Sequence, residues 1–309
     1  MKEIGGYFGL EINERFDNIS GYIALNAARN ALRYIIKLYK IKEIYLPYYT
    51  CPVVRQSAEL EKCEVKFYHI DENFMPMDSF KQNDFILYTN YFGICAKNVK
   101  ILSKIYNNLI VDNAQAFYMP KYGIVSFNSI RKFFGVPDGA LLSSKRILDD
   151  DLKQDTSYQR CSHLLKRLDV NAPFGYDDFK NNDEILSTDQ IMKISNLTKI
   201  LFNNIDIYQA QAKRLENFAY LYQHLNQTNR LSVTLESEDV PMIYPYLIDD
   251  GVSMKTKLIK NNIFVATYWN ATHLNCFEKD FQNNIVPLPI DQRYGLEDMN
   301  QIIKYIQGD

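Results

Sequence analysis

Short apolar runs alternate with stretches of helical periodicity through the first half of the chain, and that alternation limits the fold more than any other feature. Residues 22–25 lead into a helical stretch at 27–39, where Ala31, Leu32, Ile35, Ile36 and Tyr39 share one face. Residues 44–46 read as a strand stopped by Pro47, 53–60 as a helix, and 65–68 as a strand before the turn-rich Asp71-Glu72-Asn73. A strand at 84–89, a helix at 99–106 and strands at 109–111 and 124–126 follow. Repeated strand–helix–strand units predict an α/β fold with a mostly parallel sheet covered by helices on both faces. Ligands of such sheets collect beyond the carboxyl ends of the strands, where Asp112 and the loop opening at Pro47 fall.

The second half is organised differently. Residues 141–190 are polar and read as irregular, with the acidic run 149–151 and the stretch 175–183 as exposed loop carrying short helices. Ser187-Thr188-Asp189-Gln190 has a capping-box pattern that predicts a helix start. A long proline-free helix is expected at 204–225, strands at 240–247 and 263–267, and a final helix at 296–306. These elements suit a smaller C-terminal α/β domain, so the expected division is 1–195 and 196–309.

Composition narrows the function. At 309 residues, 47% hydrophobic and 23% charged, the chain is globular rather than disordered. A net charge of −2 with no long Lys/Arg block disfavours nucleic acid as a partner. Residues 1–10 have no signal-peptide core, and no apolar stretch approaches a membrane span. The five cysteines are odd in number and widely spaced, which argues against disulfides or structural zinc and fits a reducing cytoplasm. The four histidines form no ligand pair, so no metal is expected.

The chemistry is concentrated in two segments. Asp112 leaves the apolar strand Ile110-Val111, and twenty residues later Lys132 closes Ser129-Ile130-Arg131-Lys132. The turn-forming Gly135-Val136-Pro137-Asp138-Gly139 follows. A lysine that can form a Schiff base with an aldehyde and a carboxylate that can pair with a pyridinium nitrogen suit pyridoxal phosphate (PLP). Taken alone, each residue has a plainer fate: a surface lysine, a helix-capping aspartate, a turn-capping serine.

Several motifs in order resemble the DegT-type sugar aminotransferases, which are fold type I PLP enzymes. Asn26-Ala27-Ala28-Arg29-Asn30-Ala31-Leu32 is similar to the small-residue turn that opens the first helix. Leu46-Pro47-Tyr48-Tyr49-Thr50-Cys51-Pro52 resembles the loop beside the cofactor ring, and Asp112-Asn113-Ala114-Gln115 the acidic strand end. Residues 129–140 resemble the Schiff-base segment and 286–299 the closing strand and helix. The resemblance implies Lys132 as the catalytic lysine. It implies Asp112, Gln115, Ser129, the Ala28 and Arg29 amides, Tyr49 and Cys51 as cofactor contacts, with Ser126 an alternative phosphate donor to Ser129. It also implies a homodimer that borrows a partner asparagine for the phosphate, for which Asn181 and Asn182 are candidates.

Two departures stand out. Cys51 occupies the place of a covering aromatic ring, so Tyr49, Tyr91 or the thiol itself would meet the cofactor face. Ala28 stands where glycine is common. Arg29 and Arg131 are candidates for an anion, although the surface is the commoner fate of an arginine. Tyr268 and Trp269 are expected in the core, Asp138 in the turn, and Arg293 in a structural role. The implied activity is transfer of an amino group, from glutamate by analogy, to a nucleotide-linked keto-sugar for surface polysaccharide. Deoxygenating relatives carry histidine in place of the lysine, which Lys132 argues against. Another type I reaction, or a non-catalytic sensor or scaffold on the same fold, stays open because a fold does not fix its chemistry.

Overall fold

The computed structural model describes residues 4–149, 151–188 and 190–308. The chain begins its regular structure with β1 (Ile23–Leu25) and α1 (Ala28–Tyr39), then β2 (Glu43–Pro47), α2 (Pro52–Leu60) and β3 (Glu64–Tyr68). It continues through β4 (Ile86–Thr89), α3 (Ala96–Ile105), β5 (Leu109–Asn113), β6 (Val125–Asn128) and β7 (Ala140–Ser143). Pro52 opens α2, where its missing N–H would have had no partner anyway. Seven strands form one sheet in the order β1-β7-β6-β5-β4-β2-β3. The pairs within β2–β6 are parallel, and β7 runs antiparallel to both β6 and β1.

Strand periodicity divides the core into two. Along β4, Ile86 and Tyr88 face one side and Leu87 the other; along β5, Leu109 and Val111 face one side and Ile110 the other. Leu87, Ile110, Val125 and Phe127 pack with Leu32, Ile35 and Ile36 of α1. The opposite face joins an aromatic-rich core that includes Tyr49, Tyr91, Phe92 and Trp269. Both faces are therefore covered, as the near-continuous apolar strands required.

The second half contains α4 (Ser162–Asp169), α5 (Tyr176–Thr188), α6 (Asn196–Phe202) and α7 (Ile207–Leu225). After these come β8 (Ile243–Leu247), α8 (Gly251–Lys260), α9 (Cys276–Asn284), β9 (Ile285–Pro289) and α10 (Leu296–Gln307). The strands β8 and β9 form a separate antiparallel pair. Among the described residues no helix is long and apolar enough to cross a membrane.

Three expectations need correction. The stretch 175–183, expected as exposed loop carrying short helices, is helical from Tyr176 on: it opens α5, with Asp177 and Asp178 in the first turn and Asn182 and Leu186 on the buried side. So narrow an inward face gives little hydrophobic periodicity to read. The expected helix start at Ser187-Thr188-Asp189-Gln190 coincides instead with the end of α5, with Asp189 outside the described residues. Helix α6 starts later, where the Ser195 side chain accepts the Thr198 N–H. Residues 263–267 alternate in burial like a strand but pair with none among the described residues. Residues 1–3, Asp150 and Asp309, which entered the expectations above, also lie outside the described residues.

A buried carboxylate ties α9, the helix before β9, to the chain just after β3. Glu278 of α9 is fully buried and accepts the backbone N–H groups of Ile70 (3.0 Å) and Asn275 (2.9 Å). The oxygen that accepts the Asn275 N–H, Oε2, also lies 2.8 Å from Nδ1 of His69, just after β3. Removing it orphans buried donors on both sides of the contact. Glu278→Ala should lower the unfolding free energy by roughly 2–4 kcal/mol in urea titrations. A loss below about 0.5 kcal/mol would show that the contact is incidental.

Candidate active site

The carboxyl ends of β5 and β6 set the site. In the parallel register Asp112 lies beside Phe127, and Asn113 beside Asn128. The chain leaving β6 then reaches Ser129 and makes a single 3₁₀ turn through Ile130, Arg131 and Lys132. Gly139 follows at φ +114°, a conformation that disfavours any side chain, and its N–H is donated to the Asn26 carbonyl at 2.7 Å. That bond brings the Lys132 segment against the entrance to α1.

The result is a cleft of about 250 Å³. Ala28 and Arg29 of α1, Cys51, Asp112, Ser129 and Lys132 all line it. Arg131, Phe127, Phe179 and Asp183 complete much of the wall. Six of the eight residues expected at a site from sequence are thus brought together. Among the described residues, no group of three His, Cys, Asp or Glu is placed to hold a metal.

Asp112 is almost fully buried, and its Oδ1 accepts the Ala114 N–H at 2.8 Å. Burial raises its pKa above the ordinary carboxylate value, while the Lys132 charge and the Ala114 N–H pull it only part of the way back. One ammonium and one amide do not compensate the buried charge. The ionised carboxylate therefore favours a second cationic group in the cleft.

The start of α1 supplies the opposite polarity. No side chain caps this helix, and its first turn holds no acidic residue. Its leading N–H groups and dipole favour an anion there. The Arg29 and Arg131 side chains are 12% and 14% exposed rather than solvated, and each donates to the same Asp183 Oδ1 at 3.0 Å. Although burial raises the Asp183 pKa, the two guanidiniums hold it below the usual range.

Two expected contacts do not line the cleft. Tyr49 points into the aromatic core on the far side of its loop, donating its hydroxyl to the Tyr268 carbonyl at 2.7 Å and stacking on Tyr91. Cys51, and not Tyr49, lines the cleft. Tyr91 is equally committed, donating to the Tyr49 carbonyl at 2.8 Å. Gln115 is buried outside the lining, its Oε1 accepting the Phe92 N–H at 3.0 Å. Its buried Nε2 has no partner among the described residues.

Other expected roles resolve as follows. Asn182 is buried and donates to the Pro137 carbonyl at 2.7 Å, so it braces its own chain's lysine turn; Asn181 is exposed. Ser126 lies within β6 and is not part of the lining. Asp138 is fully buried in the turn, 3.6 Å from Arg160 Nη2, and Trp269 is buried beside Tyr49. Arg293 pairs with Asp291 at 2.6 Å, away from the cleft. Asp183 and Phe179 were not anticipated, because their segment carried no helical signal.

No protein-family model matches the sequence, and no curated protein matches it. Solved structures do resemble it. A DegT DnrJ EryC1 StrS aminotransferase from Brucella abortus superposes with a TM-score of 0.62 at 14% identity, over 94% of this chain and 86% of that one. The putative sugar aminotransferase Spr1654 from Streptococcus pneumoniae gives 0.66 at 13% identity, over 95% and 87%. NtdA from Bacillus subtilis, solved with bound cofactor PMP, gives 0.67 at 12% identity, over 93% and 72%. The chain has the fold of these aminotransferases. Its seven-stranded, mostly parallel sheet and the smaller α/β half correspond to the expected fold type I architecture.

The Asp112 shift has a measurable consequence. With a raised folded pKa, stability is fully present below the ordinary carboxylate value and is lost as pH rises through the folded value. Asp112→Asn keeps an oxygen to accept the Ala114 N–H and removes the charge. The cofactor-free variant should melt above wild type at neutral pH, the gap closing toward about pH 4. A variant that melts lower at neutral pH would contradict the stated balance of charges.

Proposed function

We propose that the chain is a PLP-dependent aminotransferase that converts a keto-sugar to an amino sugar. The observation that carries this reading is the pairing in one cleft of an under-compensated buried carboxylate, Asp112, with Lys132. The residues present fit the cofactor at both ends. Asp112 demands a cation, and the uncapped start of α1 with Arg29, Ser129 and Arg131 demands an anion. A pyridinium ring bearing a phosphate ester meets both demands.

Bound PLP supplies an aldehyde that condenses with amines and a ring that accepts electrons. Asp112 would hold the positive charge of the ring nitrogen, which keeps the ring an effective electron sink. Ser129 and the Ala28 and Arg29 amides would hold the phosphate. Cys51 lines the cleft, and its thin side chain would meet the ring face. Gln115 still has an amide N–H₂ to donate, although that group now lies outside the cleft lining. Lys132 would be the base that takes the proton from the donor α-carbon and hands it back during transfer.

The finer assignments belong to the same reading. The donor is glutamate, the acceptor is nucleotide-linked, and the product serves surface polysaccharide. The enzyme works in the cytoplasm as a homodimer, with its domains divided near residue 195. These rest on the motif resemblance and on the fold shared with sugar aminotransferases.

Borohydride fixation of PLP followed by peptide mass mapping tests the central assignment. The label should fall on Lys132; a label elsewhere, or none, would refute it. Lys132→Ala should lower turnover by at least about 10²-fold, measured as 2-oxoglutarate released from glutamate only when a keto-sugar is present. Unchanged turnover would remove the lysine from the mechanism.

A further inference from the structure

Arg29 and Arg131 come from different elements, α1 and the turn before Lys132, yet converge on one carboxylate oxygen. Two guanidiniums that are mostly shielded from water thus share a single negative charge. Burial lowers the Arg131 pKa; Asp183 opposes that shift without cancelling it, and the neighbouring Arg29 charge adds to it. A carboxylate supplies about one charge; a phosphate monoester supplies roughly −1.5 to −2 at neutral pH and three acceptor oxygens. The second is the better match for two planar forks of donors.

The position of the pair points the same way. Arg29 is the second residue of α1, whose leading N–H groups have no side-chain cap, and Ser129 lines the same cleft. Asp183 differs from its partners in being half-exposed, at 49% against 12% and 14%. Its helix is held separately by Asn182, which donates to the Pro137 carbonyl at 2.7 Å and lies 3.5 Å from Arg160 Nη1. Arg29 also donates to the Asp183 backbone carbonyl at 3.3 Å, so the Asp183 carboxylate can swing off the arginines while the backbone of α5 stays docked.

We propose that Arg29 and Arg131 form a phosphate-monoester site that α5 closes with its own carboxylate, so that the cofactor's phosphate binds by displacing Asp183. The site is thereby self-competing: Asp183 weakens phosphate binding while keeping the two arginines together. This rests on the PLP reading for the identity of the ester, but not for the anion site itself.

Calorimetric titration of the cofactor-free protein separates the two. Inorganic phosphate should bind Asp183→Asn about three- to tenfold more tightly than wild type. The conservative Asp183→Glu should restore the competition. Thermal melts of the variants establish that α5 remains docked. Equal or weaker phosphate binding by folded Asp183→Asn would overturn the proposal, whatever the fate of Lys132 labelling. With cofactor, the same substitution should tighten PLP but leave pyridoxal, which lacks the phosphate, unchanged. Equal tightening of both, or of inorganic phosphate alone, would overturn the assignment of the site to the cofactor's phosphate.

Discussion

The structure turns on a carboxylate held almost out of water at the end of a central strand. Asp112 sits on β5 with parallel strands on either side, and neither its own backbone acceptor bond nor Lys132 fully offsets the burial. A fold spends stability on such a group only if something else is to meet it. The adjacent strand delivers Lys132 into the same cleft. The strand before α1 delivers an uncapped helix start to that cleft as well. A buried carboxylate, a lysine and an uncapped helix start thus line one cleft.

Sheet geometry makes this arrangement robust. Period-two alternation fixes which residues of β5 and β6 face α1, so Ile110 and Phe127 pack with that helix and Asp112, two residues after Ile110, lies on the same face. A slip of one residue would turn Asp112 into the aromatic core on the other face. The Gly139 bond to Asn26 and the Asn182 bond to Pro137 then clamp the lysine turn from two sides. The small sheet is fastened to this frame through Glu278.

Much of this was legible in the sequence because it is local. The strand–helix alternation fixed by residues such as Ile35, Ile110 and Val125 is a short-range pattern, and Asp112 and Lys132 are flagged by their immediate neighbours. What failed was non-local. Tyr49 was misplaced because its loop offers two faces and only tertiary packing decides between them. Gln115 was drawn away by the Phe92 N–H, a residue at φ +55° whose backbone needs a partner. Asp183 lies some fifty residues after Arg131 on a helix whose buried side is small, and nothing nearby in sequence marks it as the shared partner of two arginines. The arginines themselves, read singly, look like surface charge.

One proton decides whether Asp112 has the role proposed for it: with cofactor bound, the carboxylate would keep a pyridine nitrogen protonated. Nitrogen NMR of ring-labelled PLP on the protein measures this directly. The account predicts a protonated ring nitrogen at neutral pH in the wild type and a neutral one in Asp112→Asn. A neutral nitrogen in the wild type, or no bound cofactor signal, would contradict it.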